Sequence, residues 1–338
     1  MSGSAAEQDH AIESERVRGL LEQARAGRLA ATGRLLSLLE NDGPSSRAVS
    51  RAAFPLGGGA YTVGITGPPG AGKSTLTGRL ITALRGRGER VAVLAIDPSS
   101  PVSGGAILGD RVRMEHVGDP AVFIRSMASR GQQGGLALAA PAALRLLDAA
   151  GYSWILLETV GVGQVELDVC AVTDTTVLVV NPGWGDDVQT AKAGILEVAD
   201  VFVVNKADRP GAEHARRDLA SMRAVAPGAG GWQPPVLATV ASEDVGSAEV
   251  LAAIDGHRSW LESDGHLSSL REARLWDEVQ AVALAQLRER ARQRFGQSSA
   301  DELRLLVASR SIDPWSAADL LTTDDGDAGR RGLREARQ

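Results

Sequence analysis

A chain of 338 residues, 43% of them hydrophobic and 23% charged, can bury one large α/β core with extensions or two modest domains. Its net charge of −6 argues against a nucleic-acid backbone or an anionic membrane as the main partner, and its single cysteine, Cys170, excludes an internal disulfide and a cysteine-rich metal site. The start carries no apolar leader and no stretch is apolar over a membrane-spanning length, so the expectation is a cytoplasmic protein with no membrane and no nucleic-acid partner.

In chain order, residues 1 to about 15 are polar and read as mobile. Val17, Leu20, Leu21 and Ala24 then recur at helical spacing, and Leu35, Leu36 and Leu39 form a second stripe, so two short helices are expected. The run GPSSRAVSRAAFPLGGG, 43–59, carries Gly, Pro and Ser punctuation and reads as a linker. An apolar strand from Tyr61 to Ile65 leads into GITGPPGAGKSTLTGRL, 64–80, which matches G-x-x-x-x-G-K-[ST]. In that pattern the backbone of Gly67, Pro68, Pro69, Gly70, Ala71 and Gly72 cradles a polyphosphate at a helix N-terminus, with Ser74 and Thr75 opening the helix. Lys73 is expected as an exposed loop cation between the β- and γ-phosphates and as a catalytic group, and the Ser74 hydroxyl as a ligand of Mg²⁺.

Further apolar runs follow at 91–96, 121–124, 154–157, 176–180, 201–204 and 236–240, separated by helix-length segments. Continuous apolar strands alternating with helices predict a mostly parallel P-loop NTPase sheet covered by helices, in the α/β class. Beyond Gly246 the pattern is helical, with Leu275, Val279 and Val282 on one face of a long helix and Leu303, Leu306 and Val307 opening another. The last residues are nearly devoid of apolar side chains and read as disordered. The expected organisation is an N-terminal helical extension at 1–58, a nucleotide domain at 59–262 and a C-terminal helical region at 263–338.

Acids at strand ends supply the rest of the phosphate chemistry. Glu158 ends the run WILLE, with Gly161 three residues on to sense the γ-phosphate and Gln164 as the nearest group to position water. Asp97 and Asp110 are two further carboxylates for Mg²⁺, which takes only one or two at a time. In VFVVNKAD, Asn205, Lys206 and Asp208 follow a strand. The Asp208 carboxylate can accept from the ring N–H and exocyclic amine of guanine, two donors that adenine lacks there, so GTP is expected over ATP. Val240, Ala241 and Ser242, after the next strand, are placed for backbone contacts to the guanine edge.

Taken together, GPPGAGKST, DPSSPVSGGAILGDRVRM, FIRSMASRG, ETVGVGQVE, KAGILEVADVFVVNKAD and DPWSAADLL resemble the methylmalonyl-CoA mutase-associated GTPases of the MeaB/ArgK type, within the SIMIBI class of P-loop proteins. The likeness runs over about residues 17 to 323. It implies a homodimeric GTP hydrolase that escorts an adenosylcobalamin-dependent acyl-CoA mutase, gates its cofactor loading and protects it. It also implies C-terminal helices that carry the dimer, Lys73 and its loop on the phosphates of GTP or GDP, Ser74, Asp97, Asp110 and Glu158 on magnesium, and Asp208 on guanine. Two positions depart from the family pattern: Val165 stands where a serine is usual, and Asp187 where a glutamate is usual. Three other readings use the same phosphate loop. A nickel-delivery GTPase lacks its metal motif here, since the five histidines are scattered, and a small-molecule kinase or a structural filament or partitioning protein would not need the loop at 205–208.

Overall fold

The computed structural model describes residues 2–40, 43–98, 118–129, 135–159, 165–183, 198–225, 231–295 and 298–322. The expectations for Gly161, Gln164, Asp110 and Asp187, and for the tail, lie outside these residues.

Three helices come first: α1 (Ser2–Arg25), α2 (Leu29–Glu40) and α3 (Pro44–Ala53). Residues 2–15, read as mobile, lie within α1, and the expected linker at 43–59 gives way to helix over Pro44–Ala53. In α3, Pro44 occupies the first turn, where its missing N–H costs nothing and its fixed φ suits the helix. Val49 and Ala53, one turn apart, supply its buried side.

Seven strands follow among the described residues, with helices between most of them. They are β1 (Tyr61–Thr66), α4 (Lys73–Gly86), β2 (Val91–Pro98), β3 (Val122–Ser129), α5 (Gly135–Ala149), β4 (Trp154–Thr159), α6 (Val165–Val172), β5 (Thr175–Val180), β6 (Val201–Asn205), α7 (Ala212–Val225) and β7 (Val236–Thr239). After β7 come α8 (Ser247–Glu262), α9 (His266–Phe295), α10 (Ser298–Ala308) and α11 (Pro314–Thr322). The strands form one sheet in the order β3-β2-β4-β1-β5-β6-β7, parallel throughout. All their C-terminal ends share one edge, which is where an open parallel sheet places its ligand.

Both faces of the sheet are buried, which explains the uninterrupted apolar runs. On one face, Leu94, Ile96, Ile155 and Leu157 pack in a core with Leu144 and Leu147 of α5 and with Val17, Leu21, Leu35, Leu36 and Val49 of the first three helices. On the other, Val63, Ile65, Val93 and Val203 pack with Leu76, Leu80 and Leu84 of α4 and Val250 and Ile254 of α8. The chain divides into two compact units, Met1–Leu275 and Trp276–Gln338, and the first three helices thus fold with the sheet.

The N-terminal edge of the sheet is closed by charge and hydrogen bonds. Arg271, in the first turns of α9, donates to both oxygens of the buried Asp174 at 2.7 and 3.0 Å and to the carbonyls of Gly58 and Ala60 at 2.9 and 2.7 Å. Asp174 also accepts from Thr62 N–H at 2.9 Å, so the segment entering β1 is fixed from two sides. Beside it, the Tyr61 hydroxyl and His257 Nδ1 both bond Thr175 Oγ1, at 2.5 and 2.9 Å, and His257 Nε2 lies 3.4 Å from Asp200 Oδ1. Burial raises the Asp200 carboxyl from 3.8 to about 7, against the opposing pull of the Thr176 N–H and Arg274. Burial lowers His257 from 6.5 to about 4, with Asp174 opposing and Arg274 adding to the shift.

These two shifts act on stability with opposite sign. Between about pH 4 and 7 the folded protein keeps a proton on Asp200 that the unfolded chain releases, so this contribution falls as pH rises. Between about pH 4 and 6.5 the unfolded chain holds a proton on His257 that the folded protein lacks, so that contribution rises with pH. In the wild type the two largely cancel. Replacing His257→Gln leaves Asp200 alone, and the variant should lose stability relative to wild type as pH rises from 4.5 to 7, by on the order of 3 kcal/mol. Asp200→Asn should gain relative to wild type across pH 4.5 to 6.5. Urea midpoints followed by circular dichroism check both, and parallel profiles for all three proteins would refute the pairing.

Candidate nucleotide site

Four strand ends meet at the C-terminal edge: β1 running into 67–72, β4 ending in Glu158 and Thr159, β6 in Asn205, and β7 running into 240–245. The loop at 67–72 is held in shape by its glycines. Gly67 has φ 137°, and a Cβ there would lie 1.9 Å from Val179 O. Gly72 has φ 95°, and a Cβ there would lie 2.1 Å from Asn205 Nδ2. Gly70 is also left-handed, at φ 73°, but has no neighbour within 4 Å of the added atom. Gly72 precedes α4 without a side-chain cap, so the first N–H groups of a 14-residue helix face the loop, as an anion site requires.

Lys73 departs from expectation. It is the first residue of α4 and is 6% exposed, with Nζ donating to Gly67 O at 2.7 Å and Pro68 O at 3.0 Å. It is a buried cation that braces its own loop.

Glu158 is 3% exposed and lies level with Ile65 of β1 and Ala95 of β2. One of its oxygens accepts from Ser74 Oγ at 2.5 Å, and the other lies 2.9 Å from Thr77 Oγ1, which is equally close to Lys73 O. Thr77 was not singled out in the sequence, although its spacing of three from Ser74 puts both hydroxyls on one face of α4. Ser74 and Glu158 are hard oxygen donors within reach of one ion, which is the chemistry a Mg²⁺ site needs. Asp97 is the last residue but one of β2, opposite Ala128, and its side chain is not among the described ones. Among the described residues no three His, Cys, Asp or Glu side chains cluster as metal ligands.

Asn205 ties the loops of the site to one another. Its amide donates to Ala71 O at 2.8 Å and accepts from Thr239 Oγ1 at 3.0 Å and Ala241 N–H at 3.1 Å. Lys206, left-handed at φ 58°, reaches back to Gly70 O at 2.6 Å. Ala207 N–H is held by Thr239 O at 3.0 Å, and Asp208 follows as an exposed side chain at the end of this fixed segment. In the next loop Val240 N–H goes to Val245 O at 2.9 Å. The N–H groups of Val240 and Ala241 are therefore used within the protein, and Ser242 is the third residue of that set. Arg79 of α4 was also missed, because nothing local in the sequence marks a helix arginine that reaches residues 241 and 242.

Residues 32–295 match the family described as "Methylmalonyl Co-A mutase-associated GTPase MeaB". The chain belongs to that family. A Pyrococcus abyssi relative of this MeaB-family chain is 47% identical over 311 residues, covering 89% of this chain and 94% of its own. The Escherichia coli protein named GTPase ArgK is 37% identical over 75% of this chain and 79% of its own. A Mus musculus protein named methylmalonic aciduria type A homolog, mitochondrial, is 34% identical over 77% of this chain and 64% of its own. Among solved structures, one titled LAO/AO transport system kinase superposes with a TM-score of 0.68 at 27% identity, over 94% of this chain and 96% of that one. The MeaB-family chain is a GTP hydrolase with a P-loop sheet.

Lys73→Ala removes the loop cation and also releases two carbonyls it holds. If Lys73 serves the transferring phosphate as the motif implies, turnover of GTP should fall at least ~10²-fold. A thermal melt of the variant separates this from unfolding. A folded variant with wild-type turnover would remove Lys73 from the site.

Proposed function

We propose that this GTPase escorts an adenosylcobalamin-dependent acyl-CoA mutase, methylmalonyl-CoA mutase above all, gating cofactor loading and protecting the mutase. The observation that carries this reading is the match of residues 32–295 to a family described by its association with that mutase. The name of the mouse relative points the same way. The protein works in the cytoplasm as a homodimer. Support for the dimer comes from α9, where Trp276, Val279 and Leu287 fall on one face and are more than half exposed.

In this reading the N–H groups of 67–72 and of the first turn of α4 hold the phosphates of GTP, with Lys73 and the hydroxyl side of Ser74 and Thr75 beside them. Ser74 and Glu158 hold Mg²⁺, with Asp97 and Asp110 as further carboxylates, and the ion supplies charge neutralisation on the phosphates. Asp208 accepts from the ring N–H and amine of guanine while Lys206 keeps its loop on the phosphate cradle. Gly161 senses the γ-phosphate and Gln164 orients water, so that the segment after β4 couples hydrolysis to a docked mutase. Val165, next in that segment, lacks the hydroxyl of the usual family serine.

Asp208→Asn exchanges an acceptor for an amide donor. The variant should lose about 1.5–3 kcal/mol in GTP binding and gain preference for xanthosine nucleotides, as read by titrating both. Unchanged GTP affinity would take Asp208 out of the base site.

Single-turnover hydrolysis should accelerate when purified methylmalonyl-CoA mutase is added, and the GTP- and GDP-bound forms should bind the mutase with different affinity. A nucleotide that favours neither form can shift no equilibrium. Equal rates and equal affinities with every adenosylcobalamin mutase of the source organism would refute the escort role.

A further inference from the structure

Arg79 lies in the second turn of α4, on the same helix whose N-terminus faces the phosphate loop. It donates from Nε to Ala241 O at 3.0 Å and from Nη2 to Ser242 O at 3.0 Å. One planar fork thus holds two successive carbonyls, a geometry that a lysine point charge cannot copy. A peptide is planar and trans, so a 241 carbonyl turned toward α4 turns the N–H of the same peptide, that of Ser242, away from α4. The neighbouring donors are committed: Val240 N–H to Val245 O, Ala241 N–H to Asn205 Oδ1, and Glu243 N–H to Val240 O.

We propose that Arg79 is a positioning residue for guanine specificity, fixing the 241–242 peptide so that the Ser242 N–H donates to the base oxygen O6. Adenine carries an amine at that position, and a donor facing a donor is repelled, so one fixed N–H both accepts guanine and rejects adenine. Asp208 reads the other side of the same base, through different atoms of it. Because Arg79 belongs to α4, the base loop is referenced to the helix that begins the phosphate site, which sets the distance between base and phosphates. This inference rests on the reading of 205–208 and 240–242 as the base-recognition loops.

The test measures the affinity of GDP, 6-thio-GDP, IDP and ADP by displacement of a fluorescent GDP, in wild type, Arg79→Ala and Arg79→Lys. Sulfur at position 6 weakens the contact to Ser242 N–H, whereas inosine lacks the amine that faces Asp208. Arg79→Ala should weaken GDP about tenfold and abolish the wild-type preference for GDP over 6-thio-GDP, while leaving the preference for GDP over IDP intact. Arg79→Lys should fall between the two and carries the test if the alanine variant does not fold. Wild-type GDP affinity in a folded variant, or an equal loss for all nucleotides with both preferences retained, overturns the proposal. A wild-type protein that binds ADP as tightly as GDP instead overturns the guanine reading of these loops.

Discussion

Asn205 is 3% exposed, and a buried amide whose polar atoms lack partners costs a few kcal/mol, so its surroundings are constrained on every side. Its partners come from three places: Ala71 in the phosphate loop, Thr239 at the end of β7 and Ala241 beyond it. No one of these loops can move by more than a fraction of an ångström without breaking a bond in the others. The parallel sheet makes this possible, because it brings the ends of β1, β6 and β7 to one edge. The amide then converts nearness into a fixed mutual geometry.

The opposite edge is arranged on another principle. Arg271 gathers four acceptors, two of them backbone carbonyls, around the buried carboxylate of Asp174. An ion pair of this kind is costly to desolvate and is retained where its remaining hydrogen bonds are satisfied. Here the guanidinium also receives the chain as it enters the central strand, so the start of β1 is as closely defined as its end. Asp200 and His257 sit beside this clamp with their charged forms disfavoured by burial.

Much of this was legible in the sequence, and for physical reasons. Strands buried on both faces must be apolar throughout, and an expected apolar run overlaps each of the seven strands among the described residues. The run at 121–124 was too short because β3 continues to Ser129 through Arg125 and Ser126, polar residues that an edge strand tolerates and that one-dimensional hydropathy reads as loop. Helix α3 was missed because the Gly, Pro and Ser residues of 43–59 read as punctuation, whereas a proline in the first helical turn is a start. In the site, motif spacing located the phosphate loop and the loop at 205–208. It could not reveal that Lys73 is enclosed, that Asn205 faces inward, or that Arg79 crosses to residues 241 and 242, since each depends on an approach between segments far apart in the chain.

The three glycines of the phosphate loop are not equivalent, and their difference accounts for the grammar of the motif that first marked it. At Gly67 and Gly72 both the backbone conformation and the space forbid a side chain, the obstacle being a strand carbonyl in one case and the Asn205 amide in the other. At Gly70 only the conformation is special, and there is room for an atom beyond Cα. Asparagine and aspartate, which enter the left-handed region most readily, are admissible there. A pattern that fixes the first and last glycine and leaves the four positions between them open is therefore a record of steric contacts made outside the loop. The spelling of the motif is dictated by β5 and β6 as much as by the phosphate.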